Sequence, residues 1–113
     1  MAQEALRPVE MYEPVRKLIR SWPLQARQEI GAILTRLQRN ELIGMPDIRA
    51  MPSVSKGVYE MRVRIPDGAY RVFYVAKTNR GIFVFHAFTK KSQQTPQKEI
   101  EIGRSRLNAF VRD

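Results

Sequence analysis

The stretch that decides the fold runs from residue 57 to residue 91 and reads GVYEMRVRIPDGAYRVFYVAKTNRGIFVFHAFTKK. It holds three segments rich in β-branched and aromatic residues, each of a length typical of a strand. Residues 66–69 and 78–81 separate these segments and supply the Pro, Asp, Asn and Gly residues that favour turns. The pattern therefore predicts an antiparallel meander over residues 58–65, 70–76 and 82–88.

Alternation along the first strand sorts its side chains onto two faces of the predicted sheet. The predicted register places Ile65 opposite Tyr70 across a four-residue turn. Three arginines and one aromatic residue then share one face: Arg62, Arg64, Arg71 and Phe73. Glu60 is the only acidic residue of the hairpin on that face. We expect helices to pack on the opposite face, and the arginine face to stay open at one end at least.

Helical periodicity occupies both sides of this meander. Residues 13–20 predict a short helix, and a second one begins at Pro23 and ends near Asn40. Residues 8–12 are compatible with a short strand, and residues 44–57 predict a loop. Thr95 is placed to cap a last helix that begins at Pro96. The predicted fold class is α+β: N-terminal helices packed on a three- to four-stranded antiparallel sheet with a C-terminal helix, in one domain spanning residues 1–113.

The charge of the chain is positive and unevenly placed. The net charge is +9 over 113 residues. Residues 1–50 hold eight Lys and Arg against six Asp and Glu, a balance of +2, whereas residues 51–113 hold twelve against five, a balance of +7. This excess favours a polyanionic partner, nucleic acid first, although a basic soluble protein without such a partner has the same composition.

Several classes of protein are disfavoured by composition. The chain has no Cys, which excludes disulfides and thiolate metal sites. Residues 1–10 hold two glutamates and no apolar segment, so we expect no secretory signal peptide. No apolar run approaches membrane-spanning length, and the expectation is a cytoplasmic protein without a membrane partner.

Two groups of cations predict a phosphate site. Guanidinium groups on the arginine face match phosphate oxygens in a bidentate manner. Lys90 and Lys91 leave the third strand and lead toward a helix N-terminus, which attracts anions. The alternative is a solvated face and an ordinary charged loop. Phe73 and Phe88 neighbour the basic positions and are candidates for stacking on RNA bases, whereas Phe85 and Tyr74 are assigned to the core.

The available acid–base groups narrow the chemistry. The carboxylates are scattered, so we expect neither a metal site nor a cofactor. His86 is the only histidine, which removes a paired-histidine mechanism, and a lone histidine on an apolar strand is more often structural. What remains is attack of an RNA 2′-hydroxyl on the adjacent phosphorus, with cations stabilising the developing charge. A lysine of lowered pKa, or His86, is the candidate for proton transfer.

Four linked motifs carry a resemblance to a known family. They are GVYEMR at residues 57–62, YRVFY at 70–74, HAFTKKSQQTP at 86–96, and Glu99 with Ile100. Together they resemble the phage-derived, HigB-like branch of the RelE/ParE toxin superfamily over about residues 55–107. The resemblance implies a RelE-like, microbial-ribonuclease-like fold and a toxin that cleaves mRNA on the ribosome without metal. It also implies a small antitoxin, commonly a helix-turn-helix protein.

The resemblance also assigns residues by position. Arg71 matches the strand arginine that contacts the scissile phosphate, and Lys90 and Lys91 fall where relatives place basic, Tyr or His residues of the active site. Arg62 and Arg64 are expected to help bind RNA in the same groove. Two alternatives stay open at this point: a gyrase inhibitor of the ParE kind, which shares the fold, and a non-catalytic nucleic-acid-binding relative.

Overall fold

A computed structural model describes residues 6–91 and 94–112 of the chain. Its elements, in chain order, are β1 (Val9–Met11), α1 (Glu13–Arg20), α2 (Leu24–Gln38), β2 (Ile48–Ala50), β3 (Val58–Ile65), β4 (Gly68–Thr78), β5 (Gly81–Lys90) and α3 (Gln97–Arg112). Both N-terminal helices and the meander therefore lie where periodicity predicts them. Ser92 and Gln93, in the predicted loop before the last helix, lie outside the described residues.

The sheet has five strands in the order β1-β5-β4-β3-β2. Strand β1 runs parallel to β5, and the other three pairs are antiparallel. The prediction of a three- to four-stranded antiparallel sheet is corrected to a five-stranded mixed sheet. Strand β2 was missed because it is only three residues long and lies within a segment rich in Pro and Gly, where no alternation is visible.

The hairpin register differs from the predicted one by two residues. Ile65 pairs with Gly68, so the turn contains only Pro66 and Asp67, and Val63 pairs with Tyr70. A shift of two residues leaves every side chain on its predicted face, because the side-chain period of a strand is two. The predicted arginine face therefore exists, and Arg62 lies directly opposite Arg71.

Helices cover both faces of the sheet, and not one alone as predicted. Helices α1 and α2 pack on the first face through an apolar cluster that includes Val15, Ile30, Val72 and Tyr74. Helix α3 covers part of the second face through another cluster: Phe73, Phe83, Phe85, Phe88, Ile100 and Leu107. A cleft opens on the second face next to the β3–β4 turn, and Arg64 and Arg71 line it.

Helix α3 approaches the sheet closely at Gly103. A Cβ atom at this position would lie 2.9 Å from a ring carbon of Phe73. Glycine allows this close approach, since any larger side chain would force the ring or the helix to shift.

Strand β5 contains a β-bulge. Phe73 pairs with His86 and Tyr74 pairs with Val84, so Phe85 has no partner of its own on β4. As a result Phe85 and His86 both point toward α3, although they are adjacent in the chain. Because of this irregularity, alternation along β5 does not predict which face His86 occupies.

Candidate active site

The open end of the second face forms a cationic cleft. Its volume is about 690 Å³. The four cations that line it come from three strands and the segment after β5, and they are Arg64, Arg71, Lys90 and Lys91. The structure thus brings together four of the predicted site residues, and the short turn after Ile65 completes the wall of the cleft.

Arg71 is fixed at the inner end of this cleft. Its side chain is only 4% exposed, and its Nη1 donates to the Tyr70 carbonyl at 3.1 Å. Its Nε lies 3.6 Å from Oε1 of Glu60. Burial lowers the pKa of Arg71, the nearby Glu60 raises it, and Arg62 and Arg64 lower it further. The guanidinium nevertheless remains charged, because arginine does not deprotonate in proteins.

Glu60 is a fully buried carboxylate between the strand arginines. Its Oε1 lies 3.8 Å from Nε of Arg62 as well as 3.6 Å from Nε of Arg71. Its Oε2 accepts a hydrogen bond from the Thr95 hydroxyl at 2.9 Å. The sequence showed that Glu60 is the one acid of the hairpin on this face, but nothing in it indicated the contact with Thr95. Such a buried ion cluster costs solvation energy and is therefore weak support for stability.

The contact with Thr95 corrects the predicted start of the last helix. Helix α3 begins at Gln97, and the Pro96 carbonyl accepts from the Glu99 and Ile100 amides at 3.0 and 3.3 Å. Pro96 thus takes the N-cap position that was predicted for Thr95. The Thr95 hydroxyl donates to Glu60, and so connects the beginning of α3 to the charged end of β3.

The two lysines of the cleft differ in burial. Lys90 ends β5 and is only 7% exposed, whereas Lys91 is exposed to solvent. Burial lowers the pKa of Lys90, and Arg71 lowers it further, while Glu60 acts in the opposite direction. A lysine of lowered pKa exchanges protons more readily near neutral pH, which suits Lys90 to acid–base chemistry.

Arg62 and Arg64 extend the positive charge along β3. Arg62 is mostly buried, and its Nη1 lies 3.7 Å from Sδ of Met45, whereas Arg64 is exposed at the cleft. Arg49 on β2 adds a cation that sequence reasoning missed, because its segment was predicted as a loop. Arg49 lies opposite Glu60 in the register of β2 and β3. It also lines a second, smaller pocket of about 350 Å³ beside the start of α3.

His86 lies in a separate cluster under α3. Its Nδ1 accepts from Arg106 at 2.9 Å, and because arginine only donates, its Nε2–H donates to Glu99 at 2.8 Å. Burial lowers the pKa of His86, the hydrogen bond with Glu99 raises it, and Arg106 lowers it. His86 is not among the residues that line the cationic cleft. The structure therefore places it as a tether between β5 and α3.

The two aromatic candidates for base stacking are packed inside the protein. Phe73 has no exposed surface, and its ring contacts those of Phe85, His86 and Phe88. Phe88 is also buried in the same cluster. Neither ring presents a face to solvent, so we leave both out of the RNA-contact set proposed below.

Neither a metal-ligand cluster nor a membrane-spanning helix occurs within residues 6–91 and 94–112. No group of three or more His, Asp and Glu side chains lies close enough to hold a metal ion. No helix in this part of the chain is long and apolar enough to cross a membrane.

The fold is that of a RelE-type toxin. Among solved structures, the chain matches E. coli toxin RelE, determined as a mutant in the free state, with a TM-score of 0.52 and 16% sequence identity. The match covers 95% of this chain and 99% of that chain. At this identity the similarity shows a shared fold and confirms the predicted fold class. A search of curated proteins gave no match.

The particular family is shown by the sequence itself. Residues 17–108 match the family described as "Phage derived protein Gp49-like (DUF891)". The chain therefore belongs to the phage-derived Gp49-like family, a RelE-like family of toxins from toxin–antitoxin systems. The predicted membership of the RelE/ParE superfamily is confirmed, and the family indicates an antitoxin as partner.

Proposed function

We propose that this toxin is an endoribonuclease that cleaves mRNA on the ribosome, using the RNA 2′-hydroxyl as nucleophile and no metal ion. The observation that carries the proposal is the pairing of Arg71 with Lys90 in one open cleft. One is a fixed, permanently charged group, and the other is a buried lysine whose pKa is lowered. This pair supplies the charge stabilisation and the proton transfer that phosphodiester cleavage needs.

The roles follow from the position of each cation. The RNA 2′-oxygen forms a bond to phosphorus, the bond from phosphorus to the 5′-oxygen breaks, and a cyclic phosphate remains on the ribose. The Arg71 guanidinium stabilises the charge that develops on the phosphoryl oxygens. Lys90 donates a proton to the departing 5′-oxygen, while the proton of the 2′-hydroxyl passes to solvent water. Lys91 and Arg64, which are exposed, bind the flanking phosphates.

The proposal extends to the branch and the partner. The motifs at residues 57–62, 70–74 and 86–96 support a HigB-like toxin, and that branch commonly pairs with a helix-turn-helix antitoxin. The excess charge of +7 in residues 51–113 supports a partner rich in phosphate, namely mRNA on the ribosome. We further propose that the toxin acts in the cytoplasm, where translating ribosomes are located.

Mapping of mRNA 5′ ends after induction of the toxin tests this function. We expect cuts within translated codons that are lost in Arg71→Ala and in the double variant Lys90→Ala/Lys91→Ala. Loss of a transition-state hydrogen-bond donor typically lowers the rate by about 10²–10³-fold. Lys77→Ala is the matched control, because Lys77 is exposed on β4 and does not line the cleft.

Two further results would contradict the proposal. With a phosphorothioate at the scissile phosphate of the mRNA, cleavage on programmed ribosomes must not be restored by Mn²⁺ or Cd²⁺ added beside Mg²⁺, and rescue by such a thiophilic ion would contradict the metal-independent mechanism. Intact mRNA together with trapped gyrase–DNA complexes would replace the endonuclease with the ParE-like alternative.

A further inference from the structure

We propose that Glu60 is a positioning residue for RNA cleavage: it orients Arg71 in the cleft and connects it, through Thr95, to the start of α3. The inference rests on the proposed function and adds a residue that does not itself contact the RNA. Glu60 acts through two neighbours, since its own carboxylate is completely buried.

The carboxylate of Glu60 lies where the two parts of the second face meet. Glu60 lies in the middle of β3, opposite Phe73 on one side and Arg49 on the other. Val58, the preceding residue on the same face, is buried in the apolar cluster under α3. Glu60 thus stands at the boundary between the apolar part of this face and the cationic part, and its carboxylate forms an ion pair with Arg71.

The contacts of Glu60 with Arg62 and Arg71 are long for hydrogen bonds. Both arginine Nε atoms lie 3.6–3.8 Å from Oε1, which is within ion-pair distance but too long for a hydrogen bond. Oε1 and the Nε atoms of Arg62 and Arg71 are buried without a hydrogen-bond partner among the described residues. A loose contact of this kind is common in catalytic sites without substrate and tightens when the substrate binds. We infer that a phosphate bound in the cleft shortens the contact between Glu60 and Arg71, while Arg71 keeps its place at the inner end of the cleft.

The negative charge of Glu60 lies between two positively charged arginines. Arg62 and Arg71 are direct cross-strand neighbours, and like charges placed in this way repel. Glu60 offsets this repulsion and holds both guanidinium groups on the same carboxylate oxygen. Glu60 also raises the pKa of Lys90, against the larger effects of burial and Arg71. The carboxylate therefore influences both the orientation of the arginine and the protonation of the lysine.

The contact with Thr95 gives Glu60 a second link. Thr95 lies four residues after Lys91 and two residues before the first residue of α3. Its hydroxyl donates to the carboxylate oxygen that does not face the arginines. Glu60 thus joins the β3–β4 side of the cleft to the chain segment that follows β5.

The variant Glu60→Gln tests this role, because it removes the charge and keeps the shape. At saturating programmed ribosomes, we expect the single-turnover cleavage rate to fall on the order of 100-fold, the effect of a misplacement of about 1 Å. Affinity for an RNA with a 2′-deoxy nucleotide at the cut site should stay the same or increase, since a negative charge has been removed beside the cleft. Glu101→Gln, an exposed change of the same charge on α3, is the matched control.

The pH profile separates positioning from a merely structural role. Loss of the Glu60 charge lowers the pKa of Lys90, so the alkaline limb of the cleavage profile should move to lower pH. Thr95→Val removes one hydrogen bond and leaves the carboxylate charged. We expect this variant to reduce the rate without moving the alkaline limb.

Three outcomes would overturn the inference. They are a wild-type rate and profile in Glu60→Gln, an equal loss of affinity and rate with a lower melting temperature, or unchanged Nε–H resonances of Arg62 and Arg71 by NMR. The NMR measurement needs no cleavage, and we expect both resonances to shift in Glu60→Gln and to stay in place in Glu101→Gln. If wild type fails to cleave, the proposed function falls, and the resonances alone decide whether Glu60 positions Arg71.

Discussion

The two faces of the sheet do different work. The face under α1 and α2 is apolar from β1 to β3, and its buried cluster contains no charged side chain among the described residues. The face under α3 changes along its length, from the phenylalanines at one end to Arg71 and Lys90 at the other. The first face and the half of the second face that α3 covers stabilise the fold, which allows the open half to hold charges that repel one another.

The largest effect on stability is expected in the part of the second face that α3 covers. Phe73→Ala should reduce the free energy of unfolding by about 3–5 kcal/mol, because the ring is fully buried among three other rings. Urea unfolding measures it, with Leu42→Ala as control, since Leu42 is fully exposed and its truncation should change stability by less than about 0.5 kcal/mol. A cost near zero for Phe73→Ala would mean that α3 contributes little to the core.

The face under α2 offers a graded pair of substitutions. Ile30→Ala should cost about 2–5 kcal/mol, because Ile30 is buried in the first cluster. Leu34→Ala should cost less, since Leu34 is only partly buried against the same cluster. Equal costs in urea unfolding would show that α2 meets the sheet through a wider surface than the structure has.

Gly103→Ala sharpens the comparison at the helix that separates the two ends. Alanine favours a helix by about 1 kcal/mol over glycine. Overpacking against a ring that cannot move typically costs about 1–3 kcal/mol. We therefore expect the free energy of unfolding, measured by thermal or urea denaturation, to fall by about 0–2 kcal/mol. A clear gain in stability would show that Phe73 and α3 move apart easily.

The smallest effect concerns His86 and pH. Since the pKa of His86 is lowered in the folded protein, the unfolded chain binds more protons below the ordinary histidine pKa of about 6.5. The contribution of neutral His86 to stability is complete above that pH and is lost as the pH falls toward the folded value. Unfolding free energies at pH 7.5 and 5.5 measure it, and the fall should be smaller in His86→Gln. An equal fall in both proteins would show that the protonation of His86 is not its cause.

Local patterns gave much of the fold. Residue periodicity placed α1, α2 and the three long strands, because amphipathic patterns are local. Alternation placed Arg62, Arg64 and Arg71 on one face even though the register was displaced by two residues. These results depend only on the spacing of neighbouring residues, which the sequence contains directly.

The features that were missed depend on contacts between distant residues. Strand β2 forms by pairing with β3, and the cover of α3 over Phe73 depends on how the last helix returns to the sheet. The bond from Thr95 to Glu60 joins residues 35 positions apart, so no local pattern indicates it. The sequence places Lys90 and Lys91 side by side at the end of the third predicted strand. Only the fold shows that Lys90 is the buried one.

Phe85, the extra residue of the β-bulge in β5, determines which side chains of this strand reach the cleft. Before Phe85, odd-numbered residues of the strand face α3, and from His86 onward even-numbered residues do so. In a regular strand of the same sequence, Phe88 and Lys90 would instead point toward the face under α1 and α2, whose buried cluster is apolar. Lys90 therefore faces the cleft because Phe85, five residues earlier, occupies an extra position in the strand and packs under α3.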